Sequence, residues 1–178
     1  MNLKQKYNDN IKSELIDELN IANVMTVPSL EKIVLNRGIG QVTSNSKILE
    51  ETFTEMLNIT GQKPVLTKAK KSISNFKLRK DMHIGCKVTL RGDKMWDFLN
   101  KFLNISVPKI RDFRGLPKNS FDKFGNYTLG IKDNNIFPEI NQDKIMAAKG
   151  YDLSFVIKNS CPDSSRLLLK KLGLLFRD

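Results

Sequence analysis

The chain has 178 residues, 40% of them hydrophobic, with 30 Lys and Arg against 19 Asp and Glu and a net charge of +11; its mean hydropathy is −0.34. That length and apolar content support a packed core and exclude a disordered, collagen-like or disulfide-rich chain. No apolar run approaches the roughly 18 to 20 residues that would span a membrane, so what remains is a basic globular domain suited to a polyanion.

In chain order, Leu3, Tyr7, Ile11, Leu15 and Leu19 recur every four residues and predict an amphipathic helix within residues 1–20. Pro28 breaks the chain before an extended segment over 30–36. Ser44 to Ser46 offers N-caps for a second helix carrying Ile48, Leu49, Phe53, Met56 and Leu57, with Gly61 as its stop. Residues 63–67 read as a short strand. The stretch up to Met82 has no sustained period and reads as a long loop, with Phe76 expected to anchor it to the core. Over 83–91, Ile84, Cys86, Val88 and Leu90 alternate with Gly85, Lys87, Thr89 and Arg91, the clearest strand in the sequence.

Asp93 is the expected cap of a helix with an apolar stripe of Met95, Trp96, Leu99, Phe102 and Leu103. Residues 107–124 read mainly as loop. Gly125-Asn126 marks a turn before a strand over 127–131, and 151–157 alternates again. Ser160 with Asp163, and Pro162 at the first helical position, predict a capped last helix ending at Gly173. There is no internal repeat and no linker. The expected fold is a single α+β domain over 1–178, with a mostly antiparallel sheet, helices packed on one face and a basic face opposite.

The excess charge is localised. Residues 1–62 hold six basic and eight acidic groups, 63–133 hold seventeen and six, and 134–178 hold seven and five. Within 63–80, Lys63, Lys68, Lys70, Lys71, Lys77, Arg79 and Lys80 occur with no acid. A solvated surface mixes its signs, as residues 1–62 do. A strand beside this tract that sets Lys87, Thr89 and Arg91 opposite its apolar residues suits phosphates and 2′-hydroxyls. It has no aromatic for base stacking in the manner of an RNA-recognition motif, which favours folded RNA read by shape and backbone.

Other chemistries have little support. His83 is the single histidine, and its odd offset from Cys86 puts the two on opposite faces of a strand, unfit to share a metal. Two cysteines far apart suit a reducing compartment. The first twenty residues resemble neither a secretory signal nor a transit peptide. Gly38-Ile-Gly40 between a strand and a helix offers a nucleotide-binding alternative, although Thr43 stands at the third glycine position. A polybasic membrane surface is a further alternative, without the amphipathic helix or acyl anchor it would use.

Several stretches together resemble one family. They are Gly61-Gln-Lys-Pro64, Thr67-Lys-Ala-Lys-Lys-Ser72, Phe76-Lys-Leu-Arg79, Ile84-Gly-Cys-Lys-Val-Thr-Leu-Arg-Gly92, Pro108-Lys-Ile-Arg-Asp-Phe-Arg-Gly115, Ser120-Phe-Asp122, Gly125-Asn-Tyr127 and Phe137-Pro-Glu-Ile140. In order and spacing they are similar to the bacterial-type large-subunit ribosomal protein 5 family, the 5S rRNA-binding proteins of the central protuberance. The resemblance implies a non-enzymatic protein without cofactor or metal, in the ribosome of the cytoplasm or of an organelle. It implies 5S rRNA, large-subunit rRNA, P-site tRNA, a small-subunit head protein and other central-protuberance proteins as partners. Carried over by position, Asn36, Arg37, Gln62, Lys63, Lys87, Thr89 and Arg91 would contact rRNA. The loop over 69–82 would face tRNA through Lys70, Lys71, Ser72, Asn75, Lys77, Arg79 and Lys80, while Arg111 and Arg114 would touch RNA or the intersubunit bridge. The chain departs from the family pattern at Arg37, where many relatives have Met, at Lys123-Phe124, which replaces Gly-Arg, and at His83.

Overall fold

A computed structural model describes residues 3–40, 46–111, 113–132, 134–140 and 150–177. The first helix is α1 (Leu3–Lys6) and α2 (Lys12–Leu19), joined without a break by a π-helical turn at Tyr7–Ile11. Then follow β1 (Ser29–Gly38), α3 (Ser46–Thr60), β2 (Val65–Lys68), β3 (His83–Leu90), α4 (Gly92–Lys101), β4 (Tyr127–Ile131), β5 (Tyr151–Lys158) and α5 (Pro162–Leu172). The fold is α+β. Its five strands form an antiparallel sheet in the order β2-β3-β1-β5-β4. Of the caps expected for α3, Ser44 and Asn45 lie outside the described residues.

The chain divides into two compact units. One comprises Met1–Ile33, Arg91–Leu129 and Ser154–Asp178. Here the apolar stripe of the first helix buries Tyr7, Ile11 and Leu15. The Tyr7 ring lies 5.6 Å from that of Trp96, and its hydroxyl donates to the Pro28 carbonyl at 2.9 Å. A second aromatic group joins Phe121, Tyr127, Phe155 and Phe176, with Tyr127 fully buried at its centre. On the outside, Lys171 bridges Glu14 and Glu18, tying α5 to α2.

The N-caps of α4 and α5 differ from expectation, by two residues and one residue. Asp93 sits in the first turn of α4 rather than capping it, because Arg91 holds the N-cap position. The last helix is capped by Cys161 with Ser164, not by Ser160 with Asp163. The Cys161 N–H donates to Ser164 Oγ at 2.9 Å, whereas Ser160 Oγ donates to the Phe124 and Ile157 carbonyls. Gly173 ends α5 with φ +111°, as a helix stop requires.

The other unit comprises Val34–Leu90 and Gly130–Leu153. In it α3 packs on β3, burying Met56 and Ile59 on the helix side and Cys86, Val88 and Leu90 on the strand side. Gly61, at φ +62°, stops α3 and turns the chain into β2.

Candidate nucleic-acid interface

Alternation along the strands of the second unit sorts their side chains. In β1, Leu35 and Arg37 are buried, which leaves Val34 and Asn36 on the opposite face. In β3, Cys86, Val88 and Leu90 face the core, so Lys87 and Thr89 face away from it, with Lys87 exposed. The antiparallel register pairs Val65 with Lys87, Leu66 with Cys86 and Thr67 with Gly85. Thr67 thereby joins the outer face, a hydroxyl that sequence reasoning missed because β2 alone carries no signal of its register.

Gly85 makes this face close-packed at the backbone. A Cβ there would lie 2.4 Å from the Arg37 carbonyl oxygen and 3.2 Å from Thr67 Oγ1, so only glycine lets β3 approach so near. Gln62 is fixed as well. Its Nε2 donates to the Thr89 carbonyl at 3.0 Å, while its backbone carbonyl accepts from Thr60 Oγ1 at 3.1 Å. Asn36, Gln62, Lys87 and Thr89 are thus brought together in this unit, and Lys63 is exposed on the segment leading into β2.

Arg37 is not with them. Its side chain is 3% exposed and paired with Glu55. The Arg37 Nη1 donates to the Tyr151 hydroxyl at 2.8 Å, and that hydroxyl donates to Glu55 Oε2 at 2.9 Å. The parity it shares with Leu35 carries Arg37 into the core, so the expected rRNA contact is replaced by a buried ion pair.

Arg91 belongs to the first unit and stays at the surface, 56% exposed, where its Nη1 donates to Glu31 Oε1 at 2.9 Å. That hydrogen bond, with Lys32 and Lys158 nearby, holds the Glu31 carboxyl below its ordinary range.

The basic stretch after β2 is built rather than loose. The Ala69 N–H donates to the Met82 carbonyl at 2.8 Å and the Asp81 N–H to the Ala69 carbonyl at 3.0 Å. Ile73 and Leu78 exchange backbone hydrogen bonds at 2.9 and 3.1 Å, closing a 3-10 turn over Ser74–Phe76. Lys77 takes φ +53° to complete the reversal. Ser72 Oγ accepts from the Lys80 N–H at 3.0 Å. Lys70, Lys71, Asn75, Lys77, Arg79 and Lys80 all remain exposed. So does Phe76, at 57%. It sits at the tip and anchors nothing to the core, contrary to expectation.

Arg111 and Arg114 are exposed and belong to the first unit, and Asp112 between them lies outside the described residues. Their segment is held by the C-terminal tail: the Leu116 N–H donates to the Leu175 carbonyl and the Arg177 N–H to the Leu116 carbonyl, each at 2.8 Å. Among the described residues no group of three His, Cys, Asp or Glu could hold a metal, and no helix is long and apolar enough to cross a membrane.

Comparison with known proteins decides the family. The pattern described as "Ribosomal protein L5" matches residues 23–79, and the pattern for the C-terminus of the same ribosomal family matches 83–176. A large ribosomal subunit protein uL5 from Thermus thermophilus is 51% identical over 175 residues, covering 98% of this chain and 96% of its own.

The chain belongs to the ribosomal protein L5 family.

The uL5 of Oceanobacillus iheyensis is 50% identical over 98% of each chain, and a large ribosomal subunit protein uL5c from Paulinella chromatophora is 49% identical over 99% of each. As a member of the L5 family the chain is a structural component of the large ribosomal subunit and not an enzyme, which removes the nucleotide-binding reading of Gly38 and Gly40. Identity spread over nearly the whole length makes both units parts of one L5-type chain.

Proposed function

We propose that the chain binds 5S rRNA through the outer face of β1 and β3, attaches it to large-subunit rRNA in the central protuberance, and holds the 69–82 hairpin toward P-site tRNA. Asn36, Gln62, Lys63, Lys87, Thr89 and Arg91 are the rRNA contacts in this reading. Lys70, Lys71, Asn75, Lys77, Arg79 and Lys80 meet tRNA phosphates, with Ser72 bracing their backbone. Arg111 and Arg114 serve RNA or a small-subunit head protein, beside other proteins of the central protuberance.

The observation that carries this reading is the fixed polar face of the second unit. Gln62 is locked to the Thr89 backbone, Lys87 stands exposed, and the absence of a side chain at Gly85 lets β3 close on the Arg37 carbonyl of β1. Such a face offers hydroxyl and ammonium groups beside an amide held in place, which suits the phosphates and 2′-hydroxyls of a folded RNA.

Titration of the purified chain with 5S rRNA, an unrelated RNA of equal length and anionic vesicles across a salt series tests it. The expected outcome is preference for 5S rRNA, with a log–log salt slope close to the number of phosphates neutralised. Lys87→Glu weakens 5S rRNA binding, while Lys70→Glu with Lys71→Glu spares it and lowers affinity for tRNA. Equal binding of the two RNAs overturns the proposal.

A further inference from the structure

Two turns of the first unit have the same construction. Asn23 Oδ1 accepts from the Met25 N–H at 2.9 Å, and Asp122 Oδ1 accepts from the Phe124 N–H at 3.0 Å. In both, a side chain caps the residue two positions on, and that residue is apolar and turned outward. Met25 is 80% exposed and Phe124 is 76% exposed, the two highest values among the large hydrophobic residues described. Val24, beside Met25, is exposed as well.

Consecutive residues then tie the two turns down. Asn159 Nδ2 donates to the Met25 carbonyl at 2.9 Å, and Ser160 Oγ donates to the Phe124 carbonyl at 3.1 Å. Asn159 adopts φ +55° at this junction. Asp122 is further engaged by the Asn126 N–H at 2.7 Å and Nδ2 at 2.8 Å, and the Asp122 N–H donates to the Asn126 carbonyl at 2.9 Å. Gly125 cannot be replaced without collision, since a Cβ would lie 2.5 Å from Ser165 Oγ. A thioether and a phenyl ring are therefore held out from two turns that are tied to the consecutive residues Asn159 and Ser160. Nothing in the packing of this unit needs them there.

We infer that Met25 and Phe124 form a platform for one unpaired base of ribosomal RNA, a contact additional to the phosphate contacts of the proposed interface. The inference rests on the RNA-binding reading above. A flat base is the occupant that this chemistry fits: a ring and a polarisable sulfur offer stacking surface, and every base presents a π face. The exposed cations that border the platform in sequence, Lys123 and Lys158, complement the phosphates on either side of such a base. The acid at the site, Asp122, has its carboxylate turned into its own hydrogen bonds and not toward a ligand.

The full chain and the variants Phe124→Ala, Met25→Ala with Phe124→Ala, and Phe124→Trp are titrated with a 5S rRNA transcript and a large-subunit rRNA transcript at several salt concentrations. The alanine variants are expected to keep the melting temperature of the unsubstituted chain, because the side chains are exposed. They should bind one of the two RNAs more weakly, about tenfold for Phe124→Ala, with an unchanged salt slope. Phe124→Trp should retain affinity and show quenching of its added indole on binding that RNA. If the unsubstituted chain binds and both alanine variants bind either RNA equally well, this inference falls alone. If the unsubstituted chain binds neither RNA, the RNA-binding reading falls and takes the platform with it. Loss of assembly with ribosomal proteins at unchanged RNA affinity assigns the patch to a protein contact and also overturns it.

Discussion

The guanidinium of Arg37 is buried against the carboxylate of Glu55, with the Tyr151 hydroxyl bonded to both. The Arg37 Cζ also lies 4.8 Å from the centre of the Tyr151 ring. A buried pair of this kind gains little over apolar packing, because two desolvation costs offset its attraction, yet breaking it strands a charge. Arg37→Met should therefore lose about 3 kcal/mol, since it leaves Glu55 with the tyrosine hydroxyl as its remaining partner of the three. Arg37→Met with Glu55→Gln should recover most of that. Urea unfolding midpoints of the two variants decide it, and equal losses would show that the pair is not the unit of stability.

Arg91 reaches the surface already engaged by Glu31. In the proposed interface a phosphate would share the Arg91 guanidinium with Glu31, whose carboxylate repels it and competes for the same donors. Glu31→Gln should tighten 5S rRNA binding about two- to fivefold, in proportion to the small worth of an exposed ion pair. Arg91→Gln should weaken it. Titration at fixed salt reads both. No gain from Glu31→Gln would place Arg91 outside the interface.

Phe76 stands at the tip of the hairpin with most of its ring in water. Phe76→Ala should change unfolding stability by less than about 0.5 kcal/mol, where a buried phenylalanine would cost about 3–5 kcal/mol. Thermal melts distinguish the two. The same substitution should weaken binding to tRNA if the hairpin tip is the surface that meets it.

How far the sequence could be read follows from which residues carried a period. β3 was legible almost to the residue, because Ile84, Cys86, Val88 and Leu90 alternate without interruption and the strand found is His83–Leu90. The fate of Arg37 was encoded too: it shares parity with Ile33 and Leu35, both buried, and only the habit of assigning arginine to the surface hid it. The cap of α5 was displaced by one residue because Cys161 is an uncommon cap, while Ser160 and Pro162 form a more familiar pair of signals. The hairpin over 69–82 could not be read at all. Its order comes from backbone pairs such as Ile73 with Leu78 and from positive φ at Lys77 and Asp81, none of which leaves an apolar period. In the candidate interface, alternation alone placed Lys87 and Thr89 opposite the buried residues of β3, whereas Thr67 needed the β2–β3 register to be seen.

All three tyrosines of the chain, Tyr7, Tyr127 and Tyr151, have their phenols pushed up by burial, Tyr127 to about 12. A group whose folded value is raised stabilises the fold fully below its unfolded value near 10, and that contribution disappears as pH climbs through the folded value. The unfolded chain gives up these protons first, so alkali favours unfolding. Stability should fall between pH 10 and pH 12, with Tyr127 accounting for on the order of 2 kcal/mol of the loss. Urea midpoints across that range measure the fall, and tyrosinate absorbance should show the native chain still un-ionised where the unfolded chain has titrated. Tyr127→Phe removes the hydrogen bond from its hydroxyl to the Pro117 carbonyl at 3.1 Å, costing about 1 kcal/mol at neutral pH. In exchange the variant should lose part of the alkaline slope. An unchanged slope in Tyr127→Phe would mean that the alkaline loss comes from Tyr7, Tyr151 or Lys171, whose ammonium is pushed up by Glu14 and Glu18.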